Sequence, residues 1–323
     1  MTTLLITHPI FTAHAPPAGH PERPDRMRAI EKALSHEIFA PLKREEAAMG
    51  RTDDIALAHP ESYIRHIERS SPDPGDEVAL DPDTWMNEAS LEAATRAVGA
   101  ATHAVDEVMA GTVDNVFGAV RPPGHHAERT RAMGFCLFST AAIAGLYARA
   151  KHGVARAAVI DFDVHHGNGT QDVYWNEPDM FYGSTHQMPL YPGTGAIGET
   201  GQGNIWNAPL RPGDGSLKFR EAMKDRILPA LSAHRPDILI ISAGFDAHKN
   251  DPLGGLELTE EDFAWATLHL MEIADRHCNG RVVSLLEGGY DLTALARSTA
   301  VHVNALMRGT AQGLDEVKAE VTR

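Results

Sequence analysis

Four short stretches of this chain carry residues that could do chemistry together. The first is Asp161-Phe162-Asp163-Val164-His165-His166-Gly167-Asn168, rich in carboxylates and imidazoles. The second is Gly244-Phe245-Asp246, with His248 beyond it. The third is His125-His126, preceded by Arg121-Pro122-Pro123-Gly124. The fourth is Glu287-Gly288-Gly289-Tyr290-Asp291. In extended backbone, residues i and i+2 point the same way, so Asp163 and His165 are expected to grip one ion, with Asp246 arriving from elsewhere as a third ligand. Two carboxylates and one imidazole with an open position suit a catalytic divalent metal. Zn²⁺ is the first choice, and Fe²⁺ or Co²⁺ accept the same donors. A histidine near its ordinary pKa of ~6.5 can take a proton from an activated water and return it to a leaving amine. One of His125 and His126 is expected to do so; adjacent residues do not face one point in regular structure, but the backbone after Pro-Pro-Gly need not be regular. Such a histidine needs a partner that fixes its tautomer. Asp161, expected on the same strand face as Asp163, is the available carboxylate, and Asn168 could orient the other ring. Two glycines let the chain bend ahead of Tyr290, whose phenol could donate to a developing oxyanion. Taken singly, each Asp could cap a helix and Tyr290 could pack in a core. Their convergence argues for a site.

The elements that must position these residues follow from hydrophobic patterning. Short apolar runs at 3–7, 116–120, 157–162, 180–183, 238–243 and 282–286 read as buried strands. Helical periodicity marks 24–36, 88–109, 140–152, 217–234, 260–278 and 292–307, and the acidic start at Thr259-Glu260-Glu261-Asp262 fits a helix N-terminus. The proline-rich stretch 71–82 reads as a loop. Strands alternating with helices predict an α/β fold: a single domain over residues 1–323 with a central, mainly parallel sheet flanked by helices on both faces. Ligands of such sheets bind beyond the carboxyl ends of the strands. Each of the four chemical stretches follows an apolar run, so all four are expected on one rim.

Composition narrows the partners. The formal charge of −15 argues against binding a phosphate backbone, so no direct nucleic-acid partner is expected, and it is compatible with a cationic substrate. No apolar run is long enough to span a bilayer, and the first residues do not form a signal peptide. The two cysteines, Cys136 and Cys278, make neither a disulfide framework nor a metal-ligand pattern, which points to a reduced, cytoplasmic setting.

Together, the stretches 121–127, 134–136, 161–170, 243–255 and 287–292 resemble the histone deacetylase family of the arginase–deacetylase fold, in the family's order and from about His20 to Leu292. The segments 163–170 and 244–255 look most like the class II branch and its bacterial relatives. The resemblance implies Zn²⁺ on Asp163, His165 and Asp246. It implies His126 as general acid/base, His125 as an electrostatic partner paired with Asp161, and Tyr290 as oxyanion donor. It places Gly134 and Phe135 along an acyl-lysine channel with Leu253 at its rim, and Asp83 in a rim loop that binds the substrate backbone. It also implies a structural K⁺ near Asp161, Asp163 and Ser184. One departure from class I members is Asn168, where they carry Asp; a neutral amide stabilises a protonated His126 less, and class II members share the Asn.

The expected reaction is zinc-dependent hydrolysis of an N-acyl amide, with acetyl-lysine in a protein or peptide as substrate. The alternative is an acetylpolyamine or other small acetylated amine. Polyamine-selective relatives place a Glu near the mouth where this chain has Leu253, although Glu257 or Asp83 could supply a charge if the loops fold that way. An arginase-like ureohydrolase would need further carboxylates where Gly167 and His248 stand, and a non-enzymatic acyl-ligand binder would not need the intact set of Asp163, His165, Asp246 and Tyr290. Oligomeric state, acyl length and the stretch 187–203 are left open by the sequence.

Overall fold

A computed structural model describes residues 1–309. The expected domain also took in residues 310–323, which lie outside the described residues. Among the described residues, ten strands occur in chain order: β1 (Thr3–Thr7), β2 (Lys43–Glu46), β3 (Val78–Asp81), β4 (Thr84–Met86), β5 (Asn115–Gly118), β6 (Ala157–Asp161), β7 (Met180–Gln187), β8 (Ile205–Leu210), β9 (Ile238–Ala243) and β10 (Val282–Leu286). Eight form one sheet in the order β2-β1-β5-β10-β9-β6-β7-β8, with every neighbouring pair parallel. The antiparallel β3–β4 hairpin stands apart.

Side chains of a strand alternate between the faces of its sheet. All positions of β6, β9 and β10 are buried, so helices must cover both faces. The helices Ser90–Ala110 and Thr140–His152 pack on each other and on the central strands. A second group, Asp25–Leu34, Glu260–Cys278 and Leu292–Arg308, packs together and reaches β9. Thr259 and Asp262 form a reciprocal capping box at the start of Glu260–Cys278, and Gly111 in the left-handed conformation ends Ser90–Ala110. Truncating a fully buried strand residue such as Ile240 to Ala should cost about 2–5 kcal/mol through lost transfer energy and a residual cavity.

The six expected strands and the main helices agree with the expectation, β2 and β8 add an unforeseen strand at each edge of the sheet, and three further details correct it. The stretch 71–82 is not all loop, because β3 begins at Val78 and pairs with β4. The helix expected over 217–234 is broken into Ser216–Ala222, a π turn at Met223–Ile227 and Leu228–His234. Pro229 has no N–H to continue a regular ladder, and the wider turn accommodates it. A short helix, Asn168–Tyr174, was hidden by the glycines that flank its start.

The strand order decides where the chemistry gathers. β5, β10, β9 and β6 are adjacent in the middle of the sheet, although they are far apart in the chain. Their carboxyl ends release the stretches beginning at Arg121, Glu287, Gly244 and Phe162 side by side.

Candidate active site

The loops at this rim extend the ladder beyond the sheet. Phe162 N–H donates to Ser242 O (3.3 Å), Glu287 N–H to Ala243 O (3.0 Å) and Phe245 N–H to Gly288 O (3.0 Å). The expected extended geometry at Asp163 and His165 is corrected here, because β6 ends at Asp161 and residues 163–165 form a bend. The Asp161 carboxylate accepts from Asp163 N–H (3.1 Å) and that of Asp163 from His165 N–H (2.9 Å). Carboxylates that bond the backbone two residues on divert a chain from a ladder. Asp161 and Asp163 therefore do not share a strand face.

The bend nevertheless brings the expected ligands together. His165 Nδ1 lies 3.1 Å from Asp163 Oδ1 and 3.1 Å from Asp246 Oδ2. Among the described residues, Asp163, His165 and Asp246 offer donor atoms all within 4.8 Å of one another, and all three are buried. Backbone N–H groups of Gly288 (2.8 Å) and Val164 (2.8 Å) steady the two carboxylates. Gly288 is required at its position, since a Cβ there would lie 2.1 Å from Asp246 Oδ2 and 2.6 Å from Asp163 Oδ2. Burial, then the charge of Asp163, raises the Asp246 carboxyl to about 7. Burial opposes charge on His165, but the two aspartates outweigh it and raise the imidazole to about 10. A donor set of two oxygens and one nitrogen with surplus negative charge fits a divalent cation.

His125 and His126 stand with ring centroids 4.0 Å apart, in irregular backbone as expected after Pro-Pro-Gly. His125 Nδ1 meets Asp161 Oδ2 (2.9 Å), and His126 Nδ1 meets Asn168 Oδ1 (2.8 Å). The two rings are driven in opposite directions. Burial opposes charge on His125, yet Asp161 and Asp163 hold its pKa well above the ordinary value. Burial, then the charges of His125 and His165, holds His126 well below it. Burial and then Asp246 push the Tyr290 phenol up, so it keeps its proton as a donor.

A cavity of about 230 Å³ leads down to these groups, lined by Asp83, His126, Gly134, Phe135, His165, Leu190, Tyr191, Leu253 and Tyr290. All four expected channel and rim residues, Gly134, Phe135, Leu253 and Asp83, thus line one pocket. Gly134 has φ +56°, and a Cβ on it would lie 2.3 Å from His126 Cδ2. Asp83 accepts from Gly134 N–H (3.1 Å). Glu257 is exposed and does not line the pocket, which corrects its suggested place at the mouth. Ser184 lies beside Asp161 in the β6–β7 register, and its Oγ pairs with His186 Nδ1 (2.9 Å).

Sequence reasoning missed several participants. Leu190 and Tyr191 come from the stretch 187–203, which the sequence leaves open; the Tyr191 ring lies 5.1 Å from that of His126. An aromatic residue just past a strand end was the available signal. Glu287 accepts from Gly124 N–H (2.7 Å) and His125 N–H (3.1 Å), and Asp251 accepts from Tyr290 N–H (2.7 Å). These carboxylates hold loop backbone, which no spacing rule reveals.

Comparison with known proteins places the chain in a family. A model of the histone deacetylase domain matches residues 20–306. A chloroplastic histone deacetylase 10 from Oryza sativa subsp. japonica is 40% identical over 302 residues, covering 87% of this chain and 68% of that protein. A histone deacetylase-like amidohydrolase from Pseudomonas aeruginosa is 39% identical over 293 residues, covering 88% and 77%. A crystal structure of the HDA15 HD domain superposes with a TM-score of 0.88 at 33% identity, covering 98% of this chain and 94% of that one. The chain belongs to the histone deacetylase family and has the arginase–deacetylase fold. It is a hydrolase of the deacetylase and amidohydrolase group. No helix among the described residues is long and apolar enough to cross a membrane.

Proposed function

We propose that this chain hydrolyses the N-acetyl group of acetyl-lysine in a protein or peptide, as one metal-dependent catalytic domain. The observation that carries the reading is the meeting of Asp163, His165 and Asp246 at the foot of a narrow pocket that also exposes His126 and Tyr290. Asp163, His165 and Asp246 would hold a divalent ion, with Zn²⁺ the first choice. When bound, that ion supplies Lewis-acid polarisation of the acyl carbonyl and lowers the pKa of a water toward ~7. His126, neutral and oriented by Asn168, takes the proton from the attacking water. His125, held charged by Asp161, contributes positive potential beside it. Tyr290 donates to the oxyanion of the tetrahedral intermediate. His126 then returns the proton to the leaving amine, and acetate departs.

Phe135 and Tyr191 suit the walls of a channel for an aliphatic chain, and Asp83 at its mouth suits a substrate backbone N–H. A structural K⁺ near Asp161, Asp163 and Ser184 rests on the resemblance and on the surplus of buried carboxylate there. Burial of both free cysteines fits a reducing compartment such as the cytoplasm.

The second reading, a small acetylated amine such as an acetylpolyamine, draws on the net charge of −15 and the acidic Asp83 at the mouth. Leu253 at that mouth favours an uncharged tail. The deciding experiment incubates metal-loaded protein with acetyl-lysine peptides, acetylputrescine and longer acyl-lysines and measures released acid. We expect the acetyl-lysine peptides to turn over fastest. Preference for acetylputrescine would reassign the substrate, and no release from any of them would overturn enzymatic function.

A further inference from the structure

The two histidine partners differ in a way that has a structural consequence. Asp161 presents a carboxylate, whose oxygens both accept, so either rotation keeps a proton on His125 Nδ1. Asn168 presents an amide. One end accepts and the other donates, and a reversed amide would reverse the proton on His126. In that reversed state His126 Nδ1 would accept, Nε2 would carry the proton, and the ring could not take one from water.

The surroundings of Asn168 select one orientation. Its Oδ1 faces His126 Nδ1 at 2.8 Å, while its Nδ2 donates to Glu128 Oε1 at 2.7 Å and approaches Met133 Sδ at 3.3 Å. Reversal would press an amide oxygen against the Glu128 carboxylate. The seating of Glu128 is itself built. The turn 128–131 closes through Glu128 N–H to Arg131 O (3.0 Å). Arg129 on that turn donates from its N–H to Asp172 (2.9 Å) and from its guanidinium to Val173 O (2.8 Å). The helix Asn168–Tyr174 answers with Gly169 N–H on His125 O (2.9 Å). Gly169 lets the segments meet, since a Cβ there would lie 2.3 Å from Ala127 O.

We propose that Glu128 is a positioning residue that locks the Asn168 amide, and through it the Nδ1–H tautomer of His126, in the orientation that leaves Nε2 free as the base. Glu128 does for a neutral amide what a carboxylate at position 168 would do alone. The inference rests on the function proposed above only in taking His126 as the proton carrier.

The test uses metal-loaded protein and a double-mutant cycle, with two readouts. Glu128→Leu removes the acceptor, and Glu128→Met removes it with a side chain of similar length if the leucine variant folds poorly. Ring ¹⁵N spectra of His126 should show the Nδ1–H form in the parent and a tautomer mixture in Glu128→Leu. The same change should lower kcat about 10- to 100-fold, the range seen when an outer partner of a site residue is removed, with KM nearly unchanged. Asn168→Asp alone should be impaired, because it sets two carboxylates against each other, and adding Glu128→Leu to it should raise kcat. That reversal of sign is not expected of a residue that only stabilises the loop. Parent-like kcat and an unmoved tautomer in Glu128→Leu, or equal fold losses in both backgrounds, would overturn the proposal. A shifted tautomer with unchanged kcat would keep Glu128 as the lock and instead unseat His126 as the proton carrier.

Discussion

Two fully buried ionic clusters lie close together in this molecule, and they are built to opposite rules. In one, Glu22 is gripped by Arg26 Nη1 (2.9 Å) and by Arg121 through Nη2 (2.7 Å) and Nε, and the other guanidinium nitrogens reach backbone oxygens of Phe11, His14 (3.1 Å), Glu287 and Gly289 (2.7 Å). The cluster supplies its own cations and satisfies them. In the other, Asp161, Asp163, Asp246 and Glu287 crowd around His125 and His165, and burial drives Asp246 and Glu287 up to about 7. This cluster has more anion than its own side chains neutralise. The first arrangement is structural, bracing the loop that carries Tyr290; Arg26 also sits 5.1 Å over the Tyr290 ring. The second is arranged for a cation that the polypeptide does not provide. Burial and imbalance alone therefore do not mark the site: the first cluster has one guanidinium more than it has carboxylates, and backbone oxygens meet it, whereas the second has carboxylate to spare.

The comparison can be broken most directly at Asp246. Asp246→Ala should purify with almost no divalent metal and negligible deacetylation, and elemental analysis showing full occupancy would refute the ligand assignment. Tyr290→Phe should keep the metal and lose roughly 10²- to 10³-fold in turnover, as for other oxyanion donors. A near-native rate would remove the phenol from the mechanism. Glu22→Ala should do the reverse of Asp246→Ala. It leaves two guanidinium groups buried without their carboxylate and should cost about 3–5 kcal/mol in urea unfolding while metal content stays unchanged. Metal loss without destabilisation would erase the distinction between the clusters.

The smallest expected effect is a pair of opposed pH dependences. Burial opposes the charge on Glu22, but Arg121 and His14 hold its carboxyl well below the ordinary range. Its stabilisation is therefore fully present above the unfolded value of ~4.3 and is lost as pH falls through the lowered folded value. Asp246 has the opposite sign in chelator-treated protein. Its folded value of about 7 exceeds the unfolded ~3.9, so stability should decline as pH rises between them. His165, raised to about 10, loses its contribution only above the unfolded ~6.5, which leaves the lower window to the carboxylates. Urea midpoints at stepped pH should show this slope, and Asp246→Asn should flatten it. An unchanged slope in that variant would mean that Asp246 carries little of the surplus charge.

Much of this protein could be read from the chain alone. The apolar runs that became β6, β9 and β10 were legible because a fully buried parallel strand needs unbroken hydrophobicity, and the residues after them held the candidate metal-binding trio. The types and spacing of Asp163, His165, Asp246, His125, His126 and Tyr290 already implied a metal, a base and an oxyanion donor. Tertiary structure alone decided the rest. Periodicity says what an element is but not which neighbour it pairs with, so the order β5-β10-β9-β6 had to come from packing. The bend that replaced the expected strand at Asp163 depends on carboxylates bonding nearby backbone, which competes with the ladder. Tyr191 and Glu128 gained meaning only from what they face. Adjacent, chemically identical His125 and His126 acquired opposite proton affinities because burial removes solvent screening and leaves each ring to its own neighbours.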